Sequence, residues 1–320
     1  MTWQTAEAGV RLLASLPDKT AGIAFFGGEP LLERDLVEHT VRFALAEAPD
    51  KRWSFNMTTN GLLLDETFLH FANENGLRVA LSHDGAAHDE MRVDGQGRGT
   101  AGALEKKIDL LLSHQPRAVA MCTVCVKTLP RLYESLRWLF ERGFQRVNCA
   151  YDCRPEAGWE EAHFEEFARQ YGLLQDYLFQ QALQGKHLDF IPFTAKIRTH
   201  LCKPRDLCRL GKKQPSVAPD GKLYPCIQFV DAADYAIGDV YAGINRERRE
   251  EIYLQSLQLA EECADCAYKE RCRHGCACVN FQYSGSLREV SPVQCAHERV
   301  LIPAADRLGE RLWEKGLLKI

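Results

Sequence analysis

At 320 residues, with 46% hydrophobic and 26% charged side chains, the chain is long enough for one large domain or for a large and a small one. No apolar run approaches the ~18 residues of a membrane span. A formal net charge of −4, with both signs dispersed, leaves no basic stripe, so neither membrane nor nucleic acid is expected as a partner.

The opening stretch, "MTWQTAEAGVRLLASLPDK", spaces its Val and Leu residues as an amphipathic helix and lacks the charged-then-apolar pattern of a secretory leader. From there to about Asn148 short apolar runs alternate with helical ones. "GIAFF" (22–26) precedes a helix over 32–47, and "RWSFNM" (52–57) precedes "DETFLHFANEN" (65–75). "LRVALS" (77–82) leads through a polar loop to "GALEKKIDLLL" (102–112). "AVAMCTVCV" (118–126) precedes "RLYESLRWLFERG" (131–143), and "RVNCA" (146–150) follows. This alternation predicts βαβ units around a parallel sheet. Residues 158–186 read as a long helix rich in aromatic side chains, and "HERVLIPAADRLGERLWEKGLL" as a closing helix interrupted at Pro303. In α/β folds ligands gather at the carboxyl ends of strands. Those ends are Gly27, Gly28, Glu29 and Pro30, then Thr58 to Gly61, then Ser82 to Gly85.

Near residue 200 the alternation gives way to loops punctuated by cysteine, of which the chain has 13. With no secretory leader, a reducing, cytoplasmic setting is expected, where clustered thiols hold metals more often than disulfides. Cys263, Cys266, Cys272 and Cys276 form C-x2-C-x5-C-x3-C. Upstream, Cys208, Gly221 and Cys226 form C-x12-G-x4-C, with Asp220-Gly221 as a hairpin turn. Cys202 and Cys295 flank the set. Taken alone, the quartet at 263–276 suits a zinc ribbon as well as an iron–sulfur site.

With all eight cysteines and the spaced glycine, the pattern resembles the SPASM motif of radical S-adenosylmethionine (radical SAM) enzymes, and the extra Cys202 resembles anaerobic sulfatase-maturating enzymes in particular. "GGEP", "TTNGLLL" (58–64) and "LSHDGAAHDEMR" (81–92) are similar to that family's cofactor-binding strand ends. The resemblance implies a partial (β/α)6 barrel without its first strand over 1–200, a SPASM domain over 201–297 and a C-terminal helix over 298–320. It implies two auxiliary [4Fe–4S] clusters: one held by Cys202, Cys208, Cys226 and Cys276, the other by Cys263, Cys266, Cys272 and Cys295. S-adenosylmethionine would meet Gly27, Gly28, Glu29, Ser82 and Arg92, with the freed backbone carbonyls of the glycine turn and Glu29 offering acceptors to the ammonium. The implied chemistry is hydrogen abstraction by a 5′-deoxyadenosyl radical on a peptide or protein substrate, with a reductant such as flavodoxin or ferredoxin.

Two departures from the family stand out. Its C-x3-C-x2-C, which holds the cofactor-cleaving cluster, does not occur in these 320 residues; the first helix resembles the one that follows that loop, so the third [4Fe–4S] cluster is expected only in a longer form. Where sulfatase-maturating enzymes carry an aspartate beside the cysteine, this chain has Ile227. That favours a different peptide or protein maturase and leaves the catalytic base unassigned. Sulfatase maturation, a non-catalytic iron–sulfur protein and a zinc-binding module remain as alternatives. Cys122 and Cys125, placed in one strand, and Cys149 and Cys153 read as packing residues, and Cys278 reads as a spare thiol.

Overall fold

Helix α1 (Trp3–Ser15) opens the chain, with the Thr2 hydroxyl accepting from Thr5 N at 3.2 Å as its N-cap. The computed structural model describes residues 1–201, 208–258, 260–272 and 276–318. After α1 come strand β1 (Thr20–Phe25), a 3-10 turn at Pro30–Glu33 and helix α2 (Arg34–Glu47). Then β2 (Arg52–Thr59), α3 (Glu66–Glu74), β3 (Leu77–Ser82), α4 (Ala101–His114), β4 (Val119–Val124), α5 (Leu132–Glu141), β5 (Arg146–Tyr151) and α6 (Glu161–Leu183) alternate as the periodicity predicts. A two-residue strand, β6 (Asp189–Phe190), and α7 (Ile191–Leu201) follow, neither of which the sequence reading foresaw.

The six strands form one sheet in sequential order, β1 to β6, and β2 to β6 pair parallel. Sequential order has a physical consequence. Right-handed crossovers that always step the same way place every connecting helix on the same side of the sheet. Burial along the strands records this with a period of two. In β3, Leu77, Val79 and Leu81 are buried while Arg78 is exposed and Ala80 and Ser82 are half-buried. In β4, Ala120, Cys122 and Val124 are buried while Thr123 is exposed. The register Leu81↔Ala120 and Cys122↔Cys149 keeps the buried sets aligned from strand to strand. Parallel sheets are ordinarily covered on both faces. Here Asn56, Arg78, Thr123 and Ala150 line an open face, as in a barrel-type winding around a lumen.

Two compact units make up the chain: Met1–Ile23, Arg34–Ser54 and Pro204–Cys295, and Ala24–Glu33, Phe55–Lys203 and Ala296–Ile320. The second is built on the sheet, with Phe55, Phe68, Leu81, Ile108, Leu139, Phe167 and Phe190 in its core. The first contains the cysteine-rich segment. Its hairpin joins β7 (Ser216–Val217) to β8 (Leu223–Tyr224) across the expected turn, and a second small pair joins β9 (Gly238–Asp239) to β10 (Gly243–Ile244). Helices α8 (Arg246–Ser256) and α9 (Ala277–Ser284) complete it around Leu223, Tyr224, Phe229, Ile237, Val240 and Ile252, with Ala8 and Leu12 of α1 packed alongside.

Helix α10 (Pro292–Glu314) closes the chain and corrects one expectation, because it runs through Pro303 without a break. Proline removes one backbone hydrogen bond. The flanking Leu301, Ile302, Ala304 and Ala305 are all buried, so packing holds the helix where its propensity fails. Among the described residues no helix is long and apolar enough to cross a membrane.

Candidate functional site

The "GGEP" turn leaves β1 through two left-handed glycines, Gly27 (φ 99°) and Gly28 (φ 52°). A Cβ built on either would meet nothing within 4 Å, so the backbone there faces open space that a ligand can enter. The Glu29 side chain takes a different direction from the one expected. Its Oε1 accepts from Leu31 N (3.0 Å) and from the Thr59 hydroxyl (2.6 Å), and its Oε2 accepts from Asn60 N (2.6 Å). The carboxylate therefore clamps the loop to the end of β2, and it is the glycine backbone that is left for a ligand. Pro30 begins the 3-10 turn, its missing N–H costing nothing at that position.

At the end of β3 Ser82 lies half-buried on the open face of the sheet. Arg92 is committed to a buried partner: its Nε and Nη2 donate to Asp84 Oδ2 and Oδ1 at 2.6 and 3.1 Å. Asp84 Oδ1 also accepts from Thr123 N at 2.8 Å, so the bidentate pair ties the ends of β3 and β4 together. The expectation that Arg92 reaches a ligand carboxylate narrows to its remaining Nη1.

Behind this pair stands a histidine that sequence reasoning placed among the strand ends without giving it a role. His83 is fully buried and stacked on Trp138, ring centroids 4.8 Å apart, and its Nδ1 accepts from Gly85 N at 3.0 Å. Burial, reinforced by His88, Arg92 and Arg142, lowers its pKa to about 3, so the ring is neutral. Gly85 (φ 66°) passes so close to α5 that a Cβ would stand 2.2 Å from Ser135 O.

The cysteine-rich unit sorts its thiols in a way that differs from their order in the sequence. Cys226, just after β8, is hydrogen-bonded by Cys278, and that contact lowers its pKa to about 7. Cys278 also bonds Cys276, the N-cap residue of α9, and the two contacts together push its own pKa up. A second group forms around buried Cys263, whose thiol is raised by burial and by Glu262, Cys295 and Cys266 beside it. Cys276, the last member of the C-x2-C-x5-C-x3-C run, thus lies near Cys278 and Cys226, and Cys295 lies near Cys263, while no three of the described thiols come within 4.8 Å of one another. Cys272 is half-buried and Cys208 exposed; Cys202 lies outside the described residues. Every described cysteine is a free thiol. Cys278, expected as a spare thiol, lies between two candidate ligands. Groups of free thiols on short loops are the donor set that soft metals and iron–sulfur clusters take.

The remaining thiols pack elsewhere. Cys122 hydrogen-bonds Cys149 across the register on the helix-covered face, and that bond followed by burial raises its pKa. Cys125 lies beyond the end of β4, not within it.

No family model matches the chain. The cysteine-type anaerobic sulfatase-maturating enzyme of Clostridium perfringens is 24% identical over 290 residues, covering 85% of this chain and 78% of its own length. The PqqA peptide cyclase of Granulibacter bethesdensis is 22% identical over 313 residues, covering 91% and 77%. Among solved structures, anSMEcpe with bound AdoMet and a Kp18Cys peptide superposes with a TM-score of 0.84 at 20% identity, over 98% of this chain and 91% of that one. SuiB of Streptococcus suis bound to S-adenosylmethionine gives 0.62 at 13% identity, over 92% and 70%. The chain is related to these maturases along most of its length, and its fold is that of radical SAM enzymes.

Proposed function

We propose that this chain is a radical SAM/SPASM maturase acting on a peptide or protein substrate. The observation that carries the proposal is the sorting of the thiols, Cys276 with Cys226 and Cys295 with Cys263 and Cys266. A crossed arrangement suits two separate four-thiol centres: Cys202, Cys208, Cys226 and Cys276 for one, Cys263, Cys266, Cys272 and Cys295 for the other. On this reading residues 201–297 form the cluster-binding domain, each centre is a [4Fe–4S] cluster, and flavodoxin or ferredoxin serves as reductant.

The strand ends have matching roles. Gly27 and Gly28 present bare backbone to the ammonium of S-adenosylmethionine, while Glu29 fixes the shape of that loop from behind. Ser82 and the free Nη1 of Arg92 face the methionine carboxylate, and the Asp84–Arg92 pair keeps β3 and β4 in register beneath it. The open sheet face beside Asn56 and Thr123 receives the substrate side chain. When bound, S-adenosylmethionine with a reduced cluster supplies hydrogen abstraction; the chain supplies binding, orientation and exclusion of water. The 320 residues contain no C-x3-C-x2-C, so the cleaving cluster is assigned to no residue here. Cys278, as a thiol donor to two ligand sulfurs, adjusts the potential of the first centre.

Sulfatase maturation is the weaker form of the reading, because Ile227 stands where the resembling enzymes carry an aspartate, and a sec-butyl group moves no proton. Equilibrium dialysis of labelled S-adenosylmethionine against the anaerobically reconstituted protein tests the proposal. Saturable binding that is lost in Gly27→Val and Gly28→Val supports it, and binding that ignores both substitutions refutes the assigned pocket.

A further inference from the structure

Outside both thiol groups and away from the strand ends, two histidines and a glutamate converge on the surface of α3 and α4. Glu66 and His70 are one turn apart on α3, with His70 Nε2 3.8 Å from Glu66 Oε1. His114 is the last residue of α4, and its ring lies edge-on to that of His70 with centroids 4.9 Å apart. One donor atom from each of the three lies within 4.8 Å of the other two.

The arrangement is held from behind. Asn73 Nδ2 donates to His114 O at 3.1 Å, and Gln115 Nε2 donates to Asn73 Oδ1 at 3.0 Å and to Leu77 O at 2.9 Å. Val79 N in turn donates to Gln115 Oε1 at 2.9 Å. These amides pin the end of α4 to α3 and β3, so His114 is presented to His70 by the backbone and not by a mobile tail.

We propose that Glu66, His70 and His114 form a binding site for a borderline divalent cation, zinc above all, that clips α3 to α4. The donor set selects the metal. Two imidazoles and one carboxylate suit zinc, cobalt or nickel, whereas calcium and magnesium take oxygen. Geometry is close to what zinc needs, since tetrahedral ligands at 2.0–2.1 Å stand about 3.4 Å from one another. Glu66 and His70 must close by less than half an ångström, a small rotation for side chains as exposed as these. The three donors leave a fourth, solvent-facing position for water. That exposure fits a structural clip and not a second catalytic centre.

The site stands apart from the proposed function and is tested independently of it. Zinc per chain is counted after dialysis of anaerobically reconstituted protein, in wild type, His70→Ala and His114→Ala. Hydrogen exchange of the same samples is followed with and without zinc. The expected result is one zinc fewer in each variant, with the remaining metal unchanged. Exchange over residues 66–74 and 108–115 should slow at least fivefold on zinc addition in wild type alone. Equal zinc counts in all three proteins would overturn the site. So would protection by zinc that persists in either variant. Thiol-bound zinc would appear in all three alike, so it cannot imitate the expected difference.

Discussion

The sheet-bearing unit buries Phe55, Phe68, Phe144, Phe167, Phe190 and Phe193 completely, whereas in the cysteine-rich unit Phe229 alone belongs to that class among the described residues. The strands differ as well: β3 and β4 have six residues each, while β7 to β10 have two each. The sheet-bearing unit has enough apolar burial to hold its own shape. The cysteine-rich unit arranges short loops around groups of thiols, as small domains do when a bound metal supplies part of their folding energy. The contrast teaches where each unit should be vulnerable.

Removing iron should have the largest effect and should strike one unit only. After chelation, hydrogen exchange over 216–244 and 263–295 should accelerate by more than tenfold, with β3 and β4 unchanged. An equal response in both units would erase the contrast. Next in size is a lesion confined to the sheet unit. Gly85→Ala forces a Cβ against Ser135 O at a left-handed position, and urea unfolding of that unit should show a loss of about 3 kcal/mol or more. Iron content should stay as in wild type.

Acid should also act on the sheet unit first. His83 has a folded pKa of about 3 against 6.5 when exposed. Below pH 6.5 the unfolded chain therefore binds a proton that the folded chain refuses, and stability falls until the folded pKa is reached. Between pH 6.5 and pH 5 the loss should be about 2 kcal/mol, and His83→Phe should flatten that slope. An unchanged slope in the variant would assign the acid sensitivity elsewhere. The smallest effect expected is functional: Gly28→Val should weaken S-adenosylmethionine by about tenfold, or ~1.4 kcal/mol, with the left-handed valine costing ~1–3 kcal/mol of stability, so binding is read at a temperature where the variant is folded.

The two units also differed in how much of them could be read from the sequence. Alternating apolar runs placed β1 to β5 and α1 to α6 within a few residues, because burial on one sheet face imposes a period the eye can follow. Strand β6 escaped since two residues carry no period, and the helix through Pro303 escaped because packing overrode propensity. Spacing identified the cysteines of the cysteine-rich unit but gave no account of Cys278, which contacts Cys226, 52 positions away. Glu29 and Arg92 were found for their loops, but spacing could not show that each also bonds a neighbour, Thr59 and Asp84: a charged side chain beside a ligand loop reads the same in sequence whatever else it touches. His83 gave no signal, since a buried histidine is distinguished from a surface one only by what covers it.

The crossed sorting of the thiols is tested most directly by iron and sulfide analysis of reconstituted single and double variants. Wild type should hold about eight irons with matching sulfide, and Cys226→Ala, Cys276→Ala and Cys295→Ala about four each. Cys226→Ala with Cys276→Ala should still hold about four, because both belong to one centre, whereas Cys226→Ala with Cys295→Ala should hold almost none. The account is contradicted if Cys276→Ala and Cys295→Ala prove to empty the same centre, or if the wild-type protein carries zinc and no sulfide.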